Sequence, residues 1–206
     1  MRNALGGSNY YEILHVCIMV TDKVLSSEGN VKLRQITLCD CTDEYVDWLN
    51  DPQVNRYLET RWCKQDIESI RSFVKTQIDS HNSLLLAIVD EQENKHIGNI
   101  KIGPVNTHHH HADISYFIGD KKMWGRGIAT AAIRLACKCG FDELGLHKIE
   151  AGAYKEAIAS WKALEKNGFK REATLREHML CGDGYTDVYR YGLLLDEFYS
   201  GIGEME

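Results

Sequence analysis

Met123-Trp124-Gly125-Arg126-Gly127-Ile128-Ala129-Thr130 lies between a short apolar run at residues 114–118 and an amphipathic stretch that opens at Ile128. Glycines take φ values closed to other residues and let a ligand approach the main chain. The first N–H groups of a helix have no partner inside it, and the helix dipole favours an anion there. A glycine-flanked turn from a strand into a helix is thus a phosphate cradle, and it implies a pyrophosphate-bearing cofactor. The plain alternative is a turn that only connects two elements.

Working outward, residues 113–118 read as the strand that feeds the turn. Residues 84–89 and 96–102 read as a hairpin around the polar run at 90–94. Val31, Leu33 and Ile36 mark a first strand. A helix carrying Tyr45, Val46, Trp48 and Leu49 follows a cap at residues 40–43 and stops at Asn50-Asp51-Pro52. Ile67, Ile70, Val74 and Ile78 recur at helical spacing within a second helix over 64–80. Downstream of the turn, Ile128, Ala132, Leu135 and Cys139 share one helix face. Residues 148–154 form a strand, and 157–167 a helix closed by Asn167-Gly168. Two final strands, 172–180 and 188–194, flank Gly182-Asp183-Gly184.

The order β-α-α-β-β-β-α-β-α-β-β predicts an α+β fold, a mixed sheet with helices packed on it. It is not an alternating βα series. The turn lacks G-x-G-x-x-G spacing and a P-loop lysine, so a doubly wound dinucleotide fold matches poorly. Residues 1–29, with Gly6-Gly7-Ser8 and Ser26-Ser27-Glu28-Gly29, read as an N-terminal extension. Residues 30–198 read as the domain and 199–206 as a tail.

The 206 residues suit one domain with a real core. A net charge of -6 without a basic stripe argues against a nucleic-acid partner. The apolar stretch at 13–20 is broken by His15 and is too short for a bilayer. It has no cleavage site of the usual kind, so neither a membrane partner nor a secretory signal is expected. The seven cysteines, an odd number without a paired C-x-x-C framework, predict reduced thiols and a cytoplasmic location.

The turn and the element order resemble those of the GNAT superfamily of acyl-CoA N-acyltransferases. Its Gln/Arg-x-x-Gly-x-Gly/Ala frame is filled here by Trp124-Gly125-Arg126-Gly127-Ile128-Ala129, with Trp in the first place. Trp48-Leu49-Asn50-Asp51-Pro52, Tyr57-Leu58 and Glu165-Lys166-Asn167-Gly168-Phe169 are similar to stretches of the branch typified by RimJ and RimL. The resemblance spans residues 31–198 and implies acetyl-CoA as the acyl donor. Its pantetheine arm would lie between the splayed fourth and fifth strands, against backbone near Phe117 and Ile118. Its pyrophosphate would sit on Gly125 through Thr130, beside Trp124, with Arg126 adding charge. Ala157, Ser160 and Lys166 complete the implied cofactor contacts.

Acyl transfer needs a neutral amine, an oxyanion stabiliser and an acid for the leaving thiolate. The resembled branch opens its fourth helix with Asn-x-x-Ser, and here the frame reads Ala157-Ile158-Ala159-Ser160. Ser160 is the acid candidate, or a packing serine. Ala157 lacks the hydrogen bond of the Asn it replaces, and Leu164 stands where many members carry a Tyr acid. Asp113 and His178 are the base candidates; each also reads as a structural or substrate-positioning residue, and a water chain is a third route. Alternation puts Asp113, Ser115 and Phe117 on one face, and turns Glu177 away from His178 on a regular strand. Glu59, Arg61 and Trp62 are candidates to contact the acceptor, or ordinary loop polarity. His108 through His111 read as a solvated loop, and no metal is expected.

No cysteine stands in a nucleophile context, so direct transfer in a ternary complex is expected. The expected acceptor is a primary amine such as an amino sugar or its nucleotide. A protein N-terminus is the alternative acceptor, and a weakly catalytic CoA-binding module the alternative function. A homodimer is compatible with either.

Overall fold

Leu84 through Asp90 are buried at every position, which a strand achieves only inside a sheet covered on both faces. The computed structural model, which describes residues 26–203, places this strand in one sheet of eight. The strands are β1 (Ser26–Glu28), β2 (Val31–Gln35), β3 (Leu84–Asp90), β4 (Lys95–Asn106), β5 (His111–Ile118), β6 (Lys148–Tyr154), β7 (Lys170–Cys181) and β8 (Gly184–Leu194). Their spatial order is β1-β2-β3-β4-β5-β6-β8-β7. Among the described strands, only β5 and β6 pair in parallel.

Alternation along β3 divides the core in two. Leu85, Ala87 and Val89 meet Tyr45, Trp48 and Leu49 of α1 (Asp43–Asn50) and Ile70 and Val74 of α2 (Ile67–Ile78). Leu84, Leu86 and Ile88 share the other core with α3 (Ile128–Asp142), α4 (Ile158–Glu165) and Phe198 of α5 (Leu195–Gly203). Thr42 caps α1 by accepting from the Tyr45 N–H, and Asp66 and Ser69 form a capping box on α2. The α+β class and the central run of elements stand as expected from the sequence.

Three features differ from the sequence reading. Ser26–Glu28, inside the linker-like segment, pairs with β2 as a short edge strand. Leu195–Gly203 forms a helix whose Phe198 packs on Phe141 at 5.2 Å between ring centroids. Strand β7 is not regular at its middle: its register shifts between Leu175 and Met179, and Glu177 has φ 48. The alternation expected for Glu177 and His178 therefore does not hold there.

Candidate active site

Residues 111–114 of β5 pair with residues 148–151 of β6, and the ladder stops there. Each strand then follows its outer neighbour, β5 staying on β4 and β6 on β8, so the two splay apart. The Gly119 N–H donates to the Ile97 carbonyl at 2.8 Å. The alternation of an antiparallel ladder then turns the polar groups of Phe117 toward β4 and those of Tyr116 and Ile118 toward the gap. The Ile118 carbonyl is met at 2.9 Å by the Trp124 indole N–H. Of the two residues expected to offer backbone, Ile118 faces the gap. Phe117 sends its ring into the opposite core, 5.9 Å from Tyr45.

At the mouth of the gap, Gly125 and Gly127 have φ 74 and 79, the left-handed region that a side chain disfavours. Gly127 is the N-cap of α3 and offers no side-chain cap. Among the described residues, no acceptor meets the N–H groups of Ile128, Ala129 and Thr130. A Cβ built at Gly125 or Gly127 would meet nothing within 4 Å, so the space above the helix axis is open. This arrangement fits a pyrophosphate. Arg126 is exposed beside it. The Asn167 side chain donates to the Thr130 carbonyl at 3.1 Å and ties the end of α4 to the start of α3. Lys166, the residue before Asn167, is exposed. A cavity of about 490 Å³ beside the turn is lined by the carboxylates of Glu28, Asp90, Glu93 and Asp120 and by Lys95, Lys122 and Arg126. Its carboxylates suit a phosphate less well than the open N–H groups of α3 do.

Ala157 is the buried N-cap of α4, and Ser160 lies in that helix's first turn. The Ser160 hydroxyl is 2.9 Å from the hydroxyl of Tyr116, a residue the motif frame does not mark. Leu164, where many members carry a Tyr acid, is fully buried and has no group to donate.

On the other side of the gap, Glu59, Arg61 and Trp62 form a single 3-10 turn, and Tyr154 at the end of β6 joins them. The Tyr154 hydroxyl donates to Glu59 Oε1 at 2.7 Å, and the Trp62 indole N–H donates to Glu59 Oε2 at 3.1 Å. These donors hold the Glu59 carboxyl below its usual range, the Tyr154 bond first. Burial raises Tyr154, and its bond to Glu59 adds to the effect. Glu59 lies 3.7 Å from the Arg61 guanidinium and remains 62% exposed, an oriented carboxylate that still faces solvent. Arg61 is engaged within the fold. Its guanidinium donates to the Leu58 and Leu180 carbonyls and to Tyr154 Oη, and lies 4.4 Å over the Trp62 ring. Glu156 stands nearby, with the Thr186 hydroxyl between its carboxylate oxygens.

The two base candidates sit apart from this cluster in different ways. Asp113 accepts from Arg190 at 2.8 Å, across the sheet face. His178 is exposed on β7, the edge strand of the sheet. In the histidine run, His111 opens β5 and lies 3.0 Å from Glu150, while His108 through His110 make the turn before it. Among the described residues, no group of three His, Cys, Asp or Glu side chains is placed to hold a metal. No described helix is long and apolar enough to cross a membrane.

Comparison with known proteins agrees with this architecture. The family model described as an acetyltransferase (GNAT) domain matches residues 30–170. The chain is 31% identical over 177 residues to the uncharacterized N-acetyltransferase YoaA of Bacillus subtilis, covering 84% of this chain and 94% of that one. It is 27% identical to the uncharacterized N-acetyltransferase p20 of Bacillus licheniformis, covering 81% and 93%. Among solved structures, the fold is similar to a spermidine N-acetyltransferase from Vibrio cholerae in complex with CoA and spermine, with a TM-score of 0.75 at 22% identity, covering 84% and 99%. The chain belongs to the GNAT acetyltransferase family and is an enzyme that takes its acyl group from acetyl-CoA.

Proposed function

We propose that this enzyme acetylates a small primary amine that carries further positive charge, by direct transfer in a ternary complex. The observation that carries this reading is Glu59, an exposed carboxylate oriented by Tyr154 and Trp62 beside the open end of the gap. Glu156 adds a second carboxylate, and Tyr57 lies tilted against Tyr154 at 5.5 Å between ring centroids, so an ammonium would meet negative charge beside an aromatic pair. The diphosphate of a sugar nucleotide would meet repulsion from Glu59 and Glu156 instead, since the Arg61 charge beside them is already paired with Glu59. The solved relative named for spermidine supports the same class of acceptor.

Gly125 through Thr130 hold the pyrophosphate, and Arg126 and Lys166 add charge. The backbones of Tyr116 and Ile118 align the pantetheine. Bound acetyl-CoA supplies a thioester: a C–N bond forms, the C–S bond breaks with its electron pair on sulfur, and the amine's proton reaches that sulfur through solvent. Ser160 donates a hydrogen bond at the sulfur position. Water takes the amine proton, since Asp113 is held by Arg190 and His178 stands on the sheet edge.

A thiol-release screen over polyamines, neutral amino sugars, sugar nucleotides and N-terminal peptides tests the acceptor. The highest kcat/KM is expected on polyamines; a preference for any of the other three classes overturns the reading. Glu59→Gln is expected to raise KM for the amine about fivefold with kcat nearly unchanged, as the loss of one partly exposed ionic contact requires. Ala157→Asn is expected to tighten CoA binding by roughly fivefold, one hydrogen bond's worth, in calorimetric titration. No change in that titration would count against the alignment of Ala157 with the motif's Asn.

A further inference from the structure

Tyr116 touches the gap through its backbone and reaches α4 through its side chain. Its hydroxyl lies 2.9 Å from Ser160 Oγ and 3.0 Å from the Ser160 carbonyl oxygen. A tyrosine hydroxyl has one proton to donate, and a carbonyl can only accept. Two proton arrangements are open to these groups. In one, Tyr116 donates to the carbonyl and the Ser160 proton turns inward to the tyrosine oxygen, so that both contacts carry a proton. In the other, Tyr116 gives up the carbonyl and donates to Ser160 Oγ, and the serine proton points away from Tyr116. Only the second leaves Ser160 a donor for a ligand, and the incoming bond polarises the hydroxyl and strengthens that donor.

An acceptor at the sulfur position would draw the serine proton outward and so select the second arrangement. Ser160 is the sole hydroxyl residue of α4. The helix's N-cap, Ala157, makes no side-chain cap bond, and the Tyr116 contact is what locates the Ser160 side chain. Burial pushes Tyr116 up to about 12, so it keeps its proton through the ordinary working range.

We propose that Tyr116 is a positioning residue for Ser160: its hydroxyl holds Ser160 Oγ at the edge of the gap and directs the serine proton to the departing sulfur of CoA. The inference rests on the reading of Ser160 given above. Neither residue loses its proton in the step; both donate hydrogen bonds while the C–S electron pair goes to sulfur.

The test titrates the thiol of bound CoA by the ultraviolet absorbance of its thiolate, in wild type, Tyr116→Phe, Ser160→Ala and the double variant, with kcat measured alongside. Each single variant is expected to raise the thiol pKa by about half to one unit and to lower kcat roughly tenfold. The double variant should go no further than Ser160→Ala, because two residues acting through one bond are not additive. CoA affinity should stay within about twofold, as expected where the lost bond acts on the departing sulfur. Ser160→Thr, which keeps the hydroxyl, should retain the wild-type titration and remain sensitive to Tyr116→Phe.

Equal effects of Tyr116→Phe in the wild-type and Ser160→Ala backgrounds would overturn the coupling and leave Ser160's role standing. A Ser160→Ala variant with unchanged titration and kcat would sink both. Should Tyr116→Phe lose its fold, the Ser160→Thr and Ser160→Ala pair decides: titrations that do not differ overturn the inference.

Discussion

Gly127→Val is expected to weaken CoA binding at least roughly a hundredfold, equivalent to about 2.7 kcal/mol. Two effects combine at this position. Gly127 has φ 79, where an L side chain costs about 1–2 kcal/mol, more for a β-branched one. Relaxing that strain rotates the peptide that leads into the N–H groups of Ile128, Ala129 and Thr130. The valine also enters the open space above the helix axis, where a Cβ at Gly127 has no neighbour within 4 Å. A phosphate needs that space, and each charge-assisted N–H bond it loses is worth about 1.5–3 kcal/mol. The readout is CoA affinity by calorimetry, paired with turnover of acetyl-pantetheine, which lacks the pyrophosphate. Affinity for CoA should collapse while the slow turnover of the fragment is the same in both proteins. Equal loss on both would mean that the turn merely joins β5 to α3.

The reach of the sequence follows from how local each interaction is. The glycine turn from β5 into α3 could be read because its parts lie within eight consecutive residues, from Met123 to Thr130. The helix face of α3 could be read because packing repeats with the helical period, whereas on α2 Ile70 and Val74 are buried and Ile78, at the helix end, is exposed. Glu59, Arg61 and Trp62 do come together, but their partner Tyr154 is 95 residues from Glu59 and 93 from Arg61, and no periodicity connects such positions. Tyr154 ends a strand and carries nothing in its local pattern to set it apart from a core residue. The same holds for Tyr116, whose contact with Ser160 spans 44 residues.

Nothing local announces the break in β7 either: Glu177 takes φ 48 without a glycine or asparagine to signal it. Helix α5 escaped notice because it starts at Leu195, directly after β8, with no breaker between them. Its burial depends on Phe141, which is remote in sequence. Local geometry, then, is legible in the order of residues, whereas a site's second partners belong to the tertiary fold.

Gly119→Ala should be among the most damaging single-methyl changes near the site. A Cβ at Gly119 would stand 2.1 Å from Trp48 Cδ2, 2.3 Å from Cε3 and 2.5 Å from Cγ, all far inside van der Waals contact. Trp48 has little room to retreat. It is 7% exposed, and its ring lies 5.3 Å from His96, 5.9 Å from Tyr45 and 6.5 Å from Phe117. Overpacking of a close-fitted core costs about 1–3 kcal/mol and sometimes more, and this case belongs at the upper end. About 3 kcal/mol in a chain of this size lowers Tm by roughly 6–12 °C. The strain also reaches the gap, because the Gly119 N–H fixes β5 to Ile97 one residue beyond Ile118. A raised KM for acetyl-CoA should therefore accompany the lower Tm. Trp48→Ala by itself should cost about 3–5 kcal/mol, and it removes every atom that the new methyl strikes. In the Gly119→Ala background the same truncation relieves a clash while it opens a cavity, so the double variant should lie about 2 kcal/mol above the sum of the singles. Strict additivity in thermal melts would show that the tryptophan is not what keeps position 119 a glycine.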